Sequence, residues 1–189
     1  ANGYGGAALA RAIAEGGVDA VVDLTTHELS RLLLGGDHAL AEERFAAAGE
    51  AGLPQVVLPG GLNFIGLNDY ASVAEAHRAR PHYRHSRVAT HVAVTADEIA
   101  RLAETLAQSL RASKGPAALI VPLGGFSSQD APGGAIEDPG LRAAFLDAAA
   151  AALAGGGVEL VETPAHINDP AVTELIAGRL AAYNCLPAA

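Results

Sequence analysis

In HINDP (His166–Pro170) an imidazole, an amide and a carboxylate fall almost side by side, and VPLGGFSSQDAPGG (Val121–Gly134) sets Ser127 and Asp130 in a long loop of Gly, Ser and Pro. A histidine in such company can donate to a ligand, move a proton or bind a metal. A loop aspartate can orient a ribose, a substrate or a Mg²⁺ ion, or turn back on its own backbone as an Asx-turn. His166 and Asp130 are therefore the candidate acid–base or orienting groups. Asn168 or Asp169 followed by Pro170 also reads as a helix cap and first turn, which accounts for those residues but not for His166. A Ser127–His166–Asp130 nucleophilic set has the right residue types, although GFSSQ lacks the second glycine of a nucleophile elbow. Asp130 with His166 or Glu28 has no recognised metal spacing, so no metal site is assigned.

Other motifs point to a phosphate or another anion. GYGGAA (Gly3–Ala8) fits G-x-G-x-x-A, and Asp23 follows at the distance of a dinucleotide fingerprint, but no strand precedes the motif in this sequence. A glycine-rich helix start is the plainer reading, and it too can hold a phosphate. No Walker A motif is present: the one lysine, Lys114, has no glycine loop before it. His27-Glu28 starts like a zinc-protease helix, but Arg31 stands where the second histidine would be.

Something must hold these residues together. Apolar runs at Val18–Leu24, Gln55–Leu58, Ala117–Val121 and Val158–Val161 read as strands. Between them, Ala7–Glu15, Glu28–Leu34, Ala41–Gly49, Ala96–Ser113, Leu141–Leu153 and Ala171–Tyr183 read as helices. Ile99, Leu102, Leu106 and Leu110 keep helical spacing behind a Thr95/Glu98 capping box. The segment Asn63–Val94 suggests a short helix near Ser72–His77 and short strands at His82–His85 and Thr90–Val94. Strands apolar on both faces, joined by helices, define a doubly wound, Rossmann-like α/β domain with a mainly parallel sheet and helices on both faces. In such a sheet DLTTHE, LPGGLNF, PLGGFSSQDAPGG and TPAHINDP all emerge at the carboxyl edge, the edge where open α/β sheets bind ligands at a topological switch point.

Composition narrows the partners. The chain has 189 residues, a net charge of −9 and one cysteine, Cys185. One domain spanning 1–189 is expected. Its acidity argues against nucleic acid and anionic membrane surfaces, despite the basic stretch His77–Arg87. No run reaches the length of a membrane span, and the expected compartment is cytoplasmic. The sequence starts at Ala1 without a methionine anywhere, so a preceding portion is expected.

GYGG, VDLTTHE, the Gly35-Gly36 pair, AAGEAGLPQVVLPG, HYRH, PLGGFSSQDAPGG and AHINDP, in this order, resemble the C-terminal half of one family. It is the family of the tomato mosaic virus resistance protein, the tobamovirus multiplication inhibitor, whose microbial members are assigned an ATP-binding domain. The resemblance implies two α/β lobes, of which this is the second, with ATP and Mg²⁺ as candidate cofactors, an N-terminal lobe as partner, and homo-oligomers. Its pattern falls on Gly5, Gly6, Asp23, Thr25, Thr26, Glu28, Gly35, Gly36, Pro59, Gly60, Arg84, His85, Ser127, Asp130, Pro132, Gly133, His166, Asn168 and Asp169. The chain departs from it at His27, usually a third threonine, and at Gly124, usually basic. It also departs at Ala39–Glu42, usually a Ser-Ala-Gly-Pro-type turn, and at Asn63 and Gly66, usually Asp and Asn.

The expectation is a nucleotide or other small anionic metabolite at the carboxyl edge. Backbone amides around Gly5-Gly6, Gly35-Gly36 and Gly124-Gly125 would cradle it. Thr25, Thr26 and Ser127 would hydrogen-bond it, Arg84 would supply charge, and Glu28, Gly60, His85 and Asn168 complete the expected binding set. The alternatives are an enzyme acting on a phosphorylated or carboxylated substrate through His166 and Asp130, and a dinucleotide-dependent oxidoreductase using Gly3–Ala8 and Asp23.

Overall fold

The computed structural model describes residues 4–36 and 43–185. In chain order the elements are α1 (Tyr4–Ala14), β1 (Val21–Thr25), α2 (Glu28–Leu34), α3 (Glu43–Glu50), β2 (Gln55–Gly60), β3 (Phe64–Leu67), α4 (Glu75–Arg78), β4 (His82–Ser86), β5 (Ala89–Ala93), α5 (Ala96–Arg111), β6 (Ala117–Pro122), α6 (Pro139–Leu153), β7 (Glu159–Thr163) and α7 (Pro170–Ala182). Four strands form a parallel sheet in the order β1-β2-β6-β7, and β3-β5-β4 form a separate antiparallel sheet. This is the α/β class that the sequence indicates.

Interior strands explain themselves. β2 and β6 are buried at every position, as apolar strands of a parallel sheet covered on both faces must be. The order of the parallel strands does not reverse, so right-handed crossovers place their connecting helices on one face. Val57, Leu119 and Val121 accordingly share a core with Ile99, Leu102 and Leu106 of α5 and Phe145 of α6. Val56, Leu58 and Ile120 face the other way and meet α7 through Val172 and Ile176. That second face is uncovered at β1, where Val22 and Leu24 are exposed. The expected switch point is thus absent from these four strands. The carboxyl edge gains its concavity from the antiparallel sheet, inserted between β2 and β6 beside α5.

The capping box forms as read: Glu98 N–H donates to Thr95 Oγ1 (3.3 Å) and Thr95 N–H to Glu98 Oε2 (2.8 Å). α6 starts two residues before the expected Leu141, because Asp138 Oδ1 accepts from Gly140 and Leu141 N–H and Pro139 fills the first turn. β1 starts at Val21 rather than Val18. β3 has no counterpart among the expected elements. Gly3, the residues 41–42 of the expected third helix, and the departure at Ala39–Glu42 lie outside the described residues.

Candidate functional site

A cleft of about 520 Å³ opens at the carboxyl edge. Its floor is the end of the parallel sheet: Leu24 and Thr25 from β1, Gly60 at the end of β2 and Gly61 after it, and Phe126, Ser127 and Ser128 after β6. A Cβ on Gly60 would lie 2.2 Å from the Leu24 carbonyl oxygen, so only glycine lets β1 and β2 close up there. His27 and Arg31, at the start of α2, form one side, and Ile167 and Asn168 before α7 form another.

The last wall is the antiparallel sheet. Strand alternation aims Tyr83 and His85 of β4 and His91 of β5 into the cleft beside Phe64 of β3. Phe64, His91 and His85 form a continuous stack: centroids are 4.1 Å apart for Phe64–His91 and 4.7 Å for His91–His85, each pair within 7° of parallel. Tyr83 stands edge-on to this stack, with its hydroxyl 2.6 Å from His91 Nδ1. Burial is the main cause that lowers the pKa of His91 to about 4, with His85, Arg31 and His27 adding to it. Burial likewise lowers His27 to about 4, aided by Arg31 and Arg44 and opposed by Asp23. Both imidazoles are therefore neutral at pH 7, and burial raises the Tyr83 phenol above its ordinary value. In a chain of net charge −9, the described residues that line the cleft include Arg31 and three histidines and no carboxylate.

Of the residues singled out from sequence, Thr25, Gly60, His85, Ser127 and Asn168 line this cleft. The others have different positions. Arg84 neighbours Tyr83 and His85 on a strand and so faces the opposite side, with its guanidinium 4.1 Å from the centre of the Tyr70 ring. Thr26 is buried and donates to the Leu58 carbonyl (3.0 Å). Asp23 and Glu28 are buried around Arg44 of α3, which pairs with Asp23 through both Nη atoms and lies 3.6 Å from Glu28 Oε1 through Nε. Burial raises the pKa of Glu28, against the pull of Arg44. Gly5 and Gly6 open α1, Gly6 packing on the Arg44 side chain, and Gly35 and Gly36 follow α2, Gly36 packing against Gly66.

His166 and Asp130 organise the loops and do not line the cleft. His166 Nε2–H donates to the Ser127 carbonyl (2.9 Å) and Nδ1 accepts from Asn168 N–H (3.1 Å), which occupies both ring nitrogens. Asp130 accepts from Phe126 N–H (2.9 Å) and Asp138 N–H (3.1 Å) and pairs with buried Arg142. Burial raises the pKa of Asp130, opposed by those two amides and by Arg142. Gly124 N–H donates to the Ala165 carbonyl and Gly125 N–H to Pro122, so these amides serve the loop. Ser127 Oγ accepts from Asn63 Nδ2 (3.2 Å) and has no contact with His166 Nε2, so the nucleophilic set is not assembled. Among the described residues no group of three His, Cys, Asp or Glu side chains could hold a metal.

His27, Arg31, Phe64, Tyr83 and His91 were not among the site residues read from sequence. The signal for Tyr83 and His91 was available: HYRHSRVATHVA is a hairpin in which these two residues pair across the strands and share a face.

Fold and site together define an open α/β domain with a donor-lined cleft at the carboxyl edge of its sheet. The chain belongs to the uncharacterised protein family UPF0261, whose C-terminal domain matches residues 1–183. It is 31% identical over 170 residues to a UPF0261 protein of Brucella melitensis, covering 90% of this chain and 40% of that protein. It is 32% identical over 175 residues to one of Rhizobium meliloti, covering 92% and 44%. The ToMV resistance protein Tm-1(GCR237) of Solanum lycopersicum is 27% identical over 139 residues, 74% of this chain and 18% of that protein. The chain thus spans under half the length of these relatives. Among the described residues no helix is long and apolar enough to cross a membrane.

Proposed function

We propose that this domain binds a small anionic ligand in the carboxyl-edge cleft, as the C-terminal lobe of a two-lobe protein, with ATP the first candidate. The observation that carries the reading is the lining: Arg31, three imidazoles, Thr25, Ser127 and Asn168, with no carboxylate among the described residues, in a protein otherwise rich in Asp and Glu. Side chains that favour negative charge converge where the surrounding surface repels it. The aromatic wall of Phe64, His91 and Tyr83 suits a ligand with a flat unsaturated ring beside its anionic group. Mg²⁺, if used, arrives with the phosphates, since the described residues of the cleft offer no acidic ligand.

Calorimetric titration of ATP, with and without Mg²⁺, into the full-length protein tests this. Saturable binding that falls about tenfold in Arg31→Ala is expected, as for loss of a charge-assisted contact. Equal affinity in that variant would remove the cleft from consideration. Binding of small carboxylates or inorganic phosphate in place of ATP would keep the cleft and change its ligand.

A further inference from the structure

His91 occupies an unusual position among the histidines of the cleft. Both faces of its ring are covered, by Phe64 on one side and His85 on the other. One edge is occupied too, since Tyr83 Oη lies 2.6 Å from Nδ1. The remaining nitrogen, Nε2, has no hydrogen-bond partner among the described residues, is not sealed from solvent, and belongs to a residue that lines the cleft. A phenol is the stronger donor and a neutral imidazole nitrogen the stronger acceptor, so Tyr83 donates to Nδ1 and the ring proton resides on Nε2. The open edge of His91 is therefore an N–H.

We propose that Tyr83 and His91 form the ligand-contacting pair of the cleft, in which His91 offers its Nε2–H to an oxyanion and Tyr83 lets the same imidazole become charged when that oxyanion arrives. The pair can do this because Tyr83 is both donor and acceptor. When His91 gains a proton on Nδ1, the Tyr83 hydroxyl rotates and accepts from it, and no bond in the pair is lost. The groups facing His91 are Phe64 of β3, Tyr83 and His85 of β4, His27 before α2 and Arg31 of α2. With no anion present, Arg31 and the neighbouring imidazoles disfavour a proton there. An oxyanion at Nε2 reverses that balance, because it compensates the imidazolium charge. The ligand class is an oxyanion, phosphate or carboxylate, taken up together with a proton. This rests on the anion-binding reading of the cleft and adds which residues touch the anion.

The test uses the full-length protein with ¹⁵N-labelled histidine, observed by NMR and titrated with inorganic phosphate, ATP and citrate. His91 is expected to show the Nε2–H tautomer at pH 7 without ligand, and a mixed tautomer in Tyr83→Phe. A bound anion is expected to move the His91 nitrogens toward imidazolium, and calorimetry in buffers of different ionisation enthalpy to report proton uptake. Tyr83→Phe should weaken binding about threefold to tenfold and reduce that uptake, while His91→Gln should abolish the uptake assigned to the pair. Response to phosphate and ATP but not citrate identifies the oxyanion as phosphate, and the reverse identifies it as carboxylate. Shifts at other residues with His91 unmoved would overturn the pair and leave the anion reading standing. No shift anywhere with any probe would overturn both. An Nδ1–H tautomer in the free protein would overturn the role given to Tyr83.

Discussion

Two polar regions meet at the carboxyl edge of this sheet, and they differ in what their side chains have left to offer. In the loops after β6 and β7, the two candidate acid–base groups are already bonded within the protein. His166 has both ring nitrogens bonded, and Asp130 is held by two amides and a guanidinium. The wall made by β4 and β5 is incomplete. His91 has one nitrogen bonded and one open, and it stacks on an exposed His85. The first region is polar in order to hold a shape with little regular structure beyond the 3₁₀ turn Ser128–Asp130. The second is polar on a surface that regular strands already hold, so its groups remain available. Hydrogen-bonding capacity left over after folding marks a site better than polarity does.

The comparison predicts its largest effect at Asp130. Asp130→Ala leaves Arg142 buried with no carboxylate, and breaking a buried pair in this way costs roughly 3–5 kcal/mol. Urea denaturation should show that loss. Ligand affinity measured on the remaining folded protein should change far less. Gly125→Ala comes next. Its backbone sits at φ 144° and a Cβ would lie 2.4 Å from His166 Cδ2, so a loss of about 2–4 kcal/mol is expected. If either variant matched the parent in stability but failed to bind ligand, Asp130 or His166 would act on the ligand after all.

The open wall should show itself in pH dependence instead. His27 and His91 titrate near 4 in the folded protein against 6.5 for an ordinary histidine. Between those values the unfolded chain binds more protons, so stability is complete above about pH 6.5 and falls as pH drops toward 4. The ceiling is on the order of 3 kcal/mol per histidine, reduced in practice because both border an open cleft. Chemical denaturation from pH 7 to 4.5 measures it. His91→Gln should flatten part of the slope.

The same distinction explains what could be read from the sequence. The parallel strands, α5 with its capping box and the carboxyl-edge loops were all legible, because apolar periodicity and turn residues are local signals. Thr25, Gly60, Ser127 and Asn168 followed from those loops, and His85 from the basic stretch His77–Arg87 and the family pattern. The availability of a side chain was not legible, because it depends on partners remote in sequence. Asp130 meets Arg142 across twelve residues, Asp23 meets Arg44 across twenty-one, and His166 meets Ser127 across thirty-nine. β3 was missed because Phe64–Leu67 is short and follows a glycine-rich turn, and without it Phe64 and the stack on His91 had no visible framework.

Arg84 provides the smallest effect and the sharpest check on the wall itself. It lies between two cleft residues in HYRH, and a reading by proximity in sequence would give it the ligand's charge. Strand alternation instead turns it to the far side, onto Tyr70. Arg84→Ala should therefore cost no more than about 1 kcal/mol of stability, the worth of an exposed cation–π contact. It should leave anion affinity within about twofold, while Arg31→Ala lowers it about tenfold. The two arginines carry the same charge, so long-range attraction alone cannot separate them at physiological salt. Only the side of the sheet can. A tenfold loss in Arg84→Ala would mean that β4 presents its other face to the ligand, and His85 and Tyr83 would then have to leave the cleft together with His91's bond to Tyr83.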